Sequence, residues 1–171
     1  MRLRPYIPDT DFPVMQKWIA DARTHALWCA NRFAYPLNPD NVNTVLAAHA
    51  QKYGELPFIA ADEQGNAVGF FCYSFQPACN EGMLKFVIVD VNQRGKGTAR
   101  EMLRLALRFA FEITGADAVH LNVFPENPAA KKCYAHVGFT ERETVPDAFA
   151  FGGERWGRCN MIIRKEQYAA S

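Results

Sequence analysis

Residues 85–100 read Lys-Phe-Val-Ile-Val-Asp-Val-Asn-Gln-Arg-Gly-Lys-Gly-Thr-Ala-Arg. A largely β-branched run over residues 86–89 breaks into a polar turn. The turn becomes glycine-rich at Gly95 and Gly97, and a long amphipathic segment follows. A strand, a glycine turn and a helix start together make an anion site. The first N–H groups of a helix have no internal partner, and the helix dipole adds partial positive charge there. Glycines let the backbone approach a phosphate closely. Arg94, Lys96 and Arg100 add full charges around the same turn. The chemistry this pattern serves is the holding of a phosphate or pyrophosphate.

Three glycine loops compete for the pattern. A Walker loop needs Gly-Lys followed at once by Ser or Thr, and here Gly97 separates Lys96 from Thr98. The dinucleotide fingerprint needs a third small residue where Arg100 stands. Asp117 lies near the spacing of its acidic partner but follows the helix-ending Gly115. The third pattern is Arg-x-x-Gly-x-Ala, carried by Arg94, Gly97 and Ala99. It resembles the acetyl-coenzyme A loop of the GCN5-related N-acetyltransferases (GNAT). A second motif follows at the family's distance: a strand, an Asn, a helix carrying a Tyr, then Gly-Phe. Its positions here are Asn127, Ala130, Tyr134, Gly138 and Phe139. The resemblance spans residues 57–165. Trp18, Trp28 and the run over residues 33–37 are loosely similar to the ribosomal-protein N-acetyltransferase branch.

The resemblance implies an α/β fold with a mixed central sheet, helices on both faces and a cleft where two parallel strands splay apart. It implies acetyl-CoA as co-substrate, held by Arg94, Gly95, Lys96, Gly97, Thr98, Ala99 and Arg100. The pantetheine arm would lie along Val87, Ile88 and Val89, with the Val89 N–H polarising the thioester carbonyl. Asn127 would hydrogen-bond the arm, cap the next helix, or do both. Tyr134 matches the family's general acid. A phenol with a pKa near ~10 is protonated at neutral pH and can donate to a leaving thiolate. Residues 1–55 would shape the acceptor side and residues 56–165 the acetyl-CoA core of one domain, 1–171. The acceptor would be a primary amine of a small molecule or peptide. Homodimers are common in the family.

The chain departs from the family at the general base. Peptide-acetylating relatives often carry Glu where Asn122 stands, and an amide takes up no proton. Glu81, His120, Glu126, Asp147, Glu154 and a water chain remain open as routes for the proton. A non-catalytic acyl-CoA-binding or sensing domain of the same fold is the alternative reading, and a longer acyl group is another. Cys133 precedes Tyr134 on the helix and is expected to point elsewhere, so transfer should be direct rather than through an acetyl-enzyme.

Composition narrows the classes further. The chain has 171 residues and a net charge of +1, which gives no bulk electrostatic case for nucleic acid or an anionic membrane. The longest apolar stretch, residues 68–75, is too short to span a bilayer. No apolar run follows Arg2 and Arg4 as a secretory signal would require. Five cysteines without a Cys-x-x-Cys fit a reducing, cytoplasmic setting better than a disulfide framework. His25, His49 and His136 show no metal-ligand spacing, so no metal is expected.

The elements that must carry these residues follow from periodicity and punctuation. A first helix should start at Thr10 or Asp11 and reach about residue 22, with residues 23–37 irregular. Asn38 and Pro39 should open a second helix that Gly54 stops. Residues 56–61 and 67–75 read as a hairpin, and residues 82–89 as the next strand. A helix over residues 98–114, a strand over 118–124 and a helix over 128–137 follow. Residues 139–144 and 155–164 should close the sheet. The loop between them, residues 145–157, is a candidate lid or acceptor-pocket wall.

Overall fold

The computed structural model describes residues 1–169. Its first strand, β1 (Arg2–Pro5), lies where no periodicity announces one. β1 pairs antiparallel with β2 (Leu56–Ala61). An ion pair ties it to α1 (Pro8–Met15): the Arg4 guanidinium donates to both Asp11 oxygens, at 2.6 and 2.7 Å. The Asp11 side chain is 1% exposed, and it also accepts the Ile7 N–H at 2.7 Å.

The helix therefore does not start at Thr10 or Asp11. Pro8 opens it, because its preset φ suits the first turn and its missing N–H would have no partner there anyway. Asp11 satisfies the entry from inside the helix. α1 ends in a 3₁₀ turn, Gln16–Trp18, that buries Trp18.

Residues 23–37 are not all irregular either. α2 (Ala22–Cys29) is capped by Asp21, whose carboxylate accepts the Thr24 N–H at 2.7 Å. The helix is too short and too mixed in composition to show a period. α3 (Pro39–Tyr53) matches its signals. Asn38 accepts the Asn41 N–H at 2.8 Å, and Gly54 ends the helix at φ +60°.

β3 (Ala67–Gln76), β4 (Glu81–Val89), β5 (Ala118–Val123), β6 (Thr140–Phe151) and β7 (Glu154–Arg164) complete a seven-stranded sheet in the order β1-β2-β3-β4-β5-β7-β6. β4 and β5 are parallel, and the other neighbours are antiparallel. α4 (Thr98–Arg108) and α5 (Pro128–Val137) cover one face. α1, α2 and α3 cover the other, over β1–β4. Alternation along β3 sends Phe70 to the second face and Phe71 to the first. A short helix, α6 (Lys165–Ala169), follows β7.

Two expected boundaries move. The helix over residues 98–114 widens into a π turn at Phe109–Ile113, with the Thr114 N–H on the Phe109 carbonyl at 3.1 Å. The Thr114 hydroxyl bonds the Ala110 carbonyl at 2.7 Å and meets the Tyr73 hydroxyl at 2.6 Å, which pins that turn to β3.

Residues 145–157 are not a loop. β6 and β7 run on as a hairpin that turns at Gly152 and Gly153, both at positive φ. Aromatic packing extends the strands: Phe149 and Phe151 stand 5.5 and 5.0 Å from the buried Trp156 ring. The Arg23 guanidinium lies 5.0 Å above that ring and donates twice to Glu154, at 2.6 and 3.1 Å.

Asp11→Ala leaves the Arg4 charge and the Ile7 N–H without their partner. It should lower stability by about 3 kcal/mol, read as a fall in the urea midpoint at unchanged m. A midpoint equal to that of the parent protein would show that the pair does not hold β1 and α1 together.

Candidate active site

β4 and β5 pair only from Glu81↔Ala118 to Leu84↔Leu121. β4 then continues to Val89 without that neighbour, while Asn122 and Val123 stay paired with β7. Phe86 marks the divergence. It sits at φ +52°, and the β3–β4 register shifts between Phe70 and Cys72. Such a bulge bends its strand. The Trp28 indole donates to the Phe86 carbonyl at 2.8 Å, so α2 holds the bent strand from outside.

The opening is a cleft of about 760 Å³. One end is the turn into α4. Gly95 and Gly97 take φ +76° and +85°, a region that disfavours side chains. An added Cβ would meet nothing within 4 Å at Gly95, and at Gly97 only the tip of Arg100, at 3.6 Å. The first bond inside α4 runs from the Glu101 N–H to the Gly97 carbonyl at 3.0 Å, which leaves the preceding N–H groups for a ligand. Arg94, Gly95, Gly97, Thr98, Ala99 and Arg100 all line the cleft. Lys96 does not. It is exposed on the outside of the turn.

Val87, Ile88 and Val89 form the neighbouring wall. The Asp90 N–H bonds the Val68 carbonyl at 2.9 Å and so points into the sheet. Alternation along an extended chain turns the preceding N–H, that of Val89, toward the cleft edge.

α5 supplies the facing wall. Asn127 caps it, accepting the Ala130 N–H at 3.1 Å, and also borders the cleft. Tyr134 lines the cleft from a nearly closed position, 7% exposed. Burial first, and then the neighbouring Cys133 thiol, push its phenol well above the ordinary value of 10.0. Among the described residues nothing hydrogen-bonds that hydroxyl.

Cys133 also lines the cleft, contrary to expectation, because the wall is wide enough to take two successive residues of α5. Burial raises its thiol pKa while the charge of Arg100 opposes, so it stays a thiol and a poor nucleophile. The sequence reading missed Gln93, Lys132 and His136 at this end and, at the other, Thr24 and Leu27, which line the cleft beside Trp28, a residue it had named on the acceptor side. Only the i, i+3, i+4 spacing of the last three could have grouped them, and only once α2 was known to be helical.

None of the five side chains open as a base lines the cleft. Glu81 is gripped by Arg142 at 2.9 and 3.0 Å, and Glu154 by Arg23. Asp147 is exposed on β6. His120 stands next to Asn160, whose amide donates to Asn122 Oδ1 at 2.9 Å and lies 3.2 Å from the imidazole. Burial, with Arg142 next, lowers the His120 pKa, so it is neutral at pH 7. Glu126 lies beside Asn127 with one carboxylate oxygen buried and unpartnered.

Among the described residues there is no group of three or more His, Cys, Asp or Glu placed to hold a metal. No helix among them is long and apolar enough to cross a membrane.

A spermidine N(1)-acetyltransferase of Vibrio cholerae is 26% identical over 129 residues, 75% of this chain and 75% of that protein. The crystal structure of spermidine N-acetyltransferase from Vibrio cholerae in complex with CoA and spermine matches with a TM-score of 0.83 at 23% identity, over 98% of this chain and 97% of that one. A chimera of the Vibrio cholerae enzyme and hSSAT gives a TM-score of 0.82 at 21% identity, with both chains covered in full. The model of the acetyltransferase (GNAT) family matches residues 16–139. That span takes in α2, the divergence of β4 from β5, the glycine turn and the Tyr134 helix, and the chain belongs to the acetyltransferase (GNAT) family.

Proposed function

We propose that the chain, as one domain over residues 1–171, is an acetyl-CoA-dependent N-acetyltransferase that transfers acetyl directly to a primary amine of a small molecule. The observation that carries this is the meeting, in one cleft, of an unpaired strand edge, a glycine turn at a helix N-terminus and a protonated phenol. When bound, acetyl-CoA supplies an acetyl group activated as a thioester.

The glycine turn and the α4 N–H groups, with Arg94, Thr98, Ala99 and Arg100, hold the pyrophosphate. Lys96 adds charge from outside. The open edge at Val87, Ile88 and Val89 takes the pantetheine amides as an added strand would be taken, and Asn127 holds the arm from the α5 side. The Val89 N–H polarises a carbonyl laid against that edge. Tyr134 keeps its proton for the departing sulfur. Among the described residues no carboxylate lines the cleft, and its one imidazole, His136, lies at the glycine-turn end, so the acceptor loses its proton to water and attacks as the free amine. Asn122 in place of an acid also suits a non-catalytic acyl-CoA sensor, but core packing alone, which Tyr134 shares with Phe139, does not call for a hydroxyl in the cleft.

Calorimetry should show binding of both acetyl-CoA and CoA, abolished in Gly97→Glu. No binding by the parent protein at millimolar ligand would remove the cofactor reading. Tyr134→Phe should lower kcat about 100-fold with acetyl-CoA affinity unchanged. Because its pKa is raised, the phenol stays protonated past pH 10, so kcat should show no loss of an acid below that pH. Cys133→Ala should keep most activity, and near-complete loss would reopen a covalent route. In kcat/KM, the rise with pH should track the acceptor's own pKa. An inflection below pH 6.5 that disappears in His120→Asn would instead assign the base to His120.

A further inference from the structure

The two ends of the cleft differ in charge. The glycine-turn end carries Arg94, Arg100 and Lys132. The opposite end lies between α2 and the splayed strands, with Thr24, Leu27 and Trp28 from one face of the helix and Lys85, neutralised by Glu55, with Phe86 and Asn122 from the sheet. The Trp28 and Phe86 rings stand 6.1 Å apart. Among the described residues no Asp or Glu lines any part of the cleft.

The carboxylates behind this end are already taken. Glu55, 1% exposed, accepts Lys85 at 2.5 Å on one oxygen and faces His49 at 3.1 Å on the other. Glu81 is held by Arg142, and Glu154 by Arg23. Glu126 stands apart. Among the described residues it has no hydrogen-bond or ion-pair partner, one of its oxygens is buried, and its charge adds to that of Glu154 in raising the pKa of Arg23, the residue before Thr24.

We propose that the acceptor is a primary monoamine on an apolar or aromatic body, with Glu126, next to the cleft residue Asn127, drawing its ammonium in before the proton is lost to water. This rests on the acetyl-transfer reading above. A polyamine presents several ammonium groups, and each one drawn from water against this wall needs its own anion. The wall offers aromatic faces, which suit one cation or an aryl ring, and its lysine, Lys85, already holds the Glu55 carboxylate, so no anion is left there for a second ammonium. The inference runs against the polyamine named for the similar Vibrio cholerae enzyme.

The test is thiol release from acetyl-CoA with 2-phenylethylamine and with spermidine as acceptors, at low and high salt. The value of kcat/KM should favour 2-phenylethylamine by at least about tenfold, with little response to salt. Leu27→Glu puts a carboxylate on the wall and should shift the ratio toward spermidine. Equal or higher kcat/KM for spermidine in the parent protein, with acetyl-CoA turnover intact, would overturn the acceptor assignment alone. An unchanged ratio in Leu27→Glu would do the same, since the wall would then not be reading the acceptor. Failure to bind acetyl-CoA would bring down both readings together.

Discussion

β4 and β5 cannot stay paired beyond Leu84 and Leu121, and the rest of the molecule is arranged around that separation. Buried backbone N–H and C=O groups need partners. β5 keeps its own by remaining in register with β7, through Asn122↔Asn160 and Val123↔Cys159. The Asn160 amide reinforces this choice by donating to the Leu121 carbonyl at 3.2 Å as well as to Asn122. β4 keeps its bonds to β3 and leaves its other edge open. An open edge on a central strand is costly unless something extended lies along it.

The separation has to be held from both sides. On one face the π turn after α4 is tied to Tyr73 through Thr114, which fixes the helix whose N-terminus borders the cleft. On the other face α2 reaches the bulge through the Trp28 indole, and Trp28, Phe33 and Phe86 pack in a continuous aromatic group. Arg23 extends the same helix to the β6–β7 hairpin through Glu154 and Trp156. A short helix with little intrinsic stability is thus anchored at both ends by tertiary contacts.

Charge is distributed so that nearly every buried ionic group is matched. Asp11 has Arg4, and Glu55 has Lys85 and His49. Breaking such pairs leaves an uncompensated buried charge, so they fix geometry more than they add net stability. The unmatched groups are informative for the same reason. Among the described residues the Tyr134 hydroxyl and one Glu126 oxygen are without partners; Tyr134 lines the cleft and Glu126 precedes Asn127, which lines it too.

The elements legible in the sequence were those specified within a few residues of themselves. Glycines at 95 and 97 require positive φ, Asn38 and Asn127 cap the helices that follow them, and the period of residues 98–108 marks an amphipathic helix. The glycine turn, the strand before it and the Tyr134 helix were therefore visible, with much of the cleft wall. What tertiary structure decided was whatever depends on a distant partner. β1 is a strand because β2 offers it an edge, and Asp11 caps α1 because Arg4 buries it there. The hairpin over residues 145–157 exists because its aromatic side chains find Trp156 and Arg23. Cys133 faces the cleft because of where α5 docks, and the wall of Thr24, Leu27 and Trp28 exists only once α2 lies against the bulge at Phe86. Local rules act through backbone dihedrals and adjacent hydrogen bonds, which the order of residues states directly. The α2 side of the cleft is built from contacts between residues far apart along the chain, and no spacing encodes those.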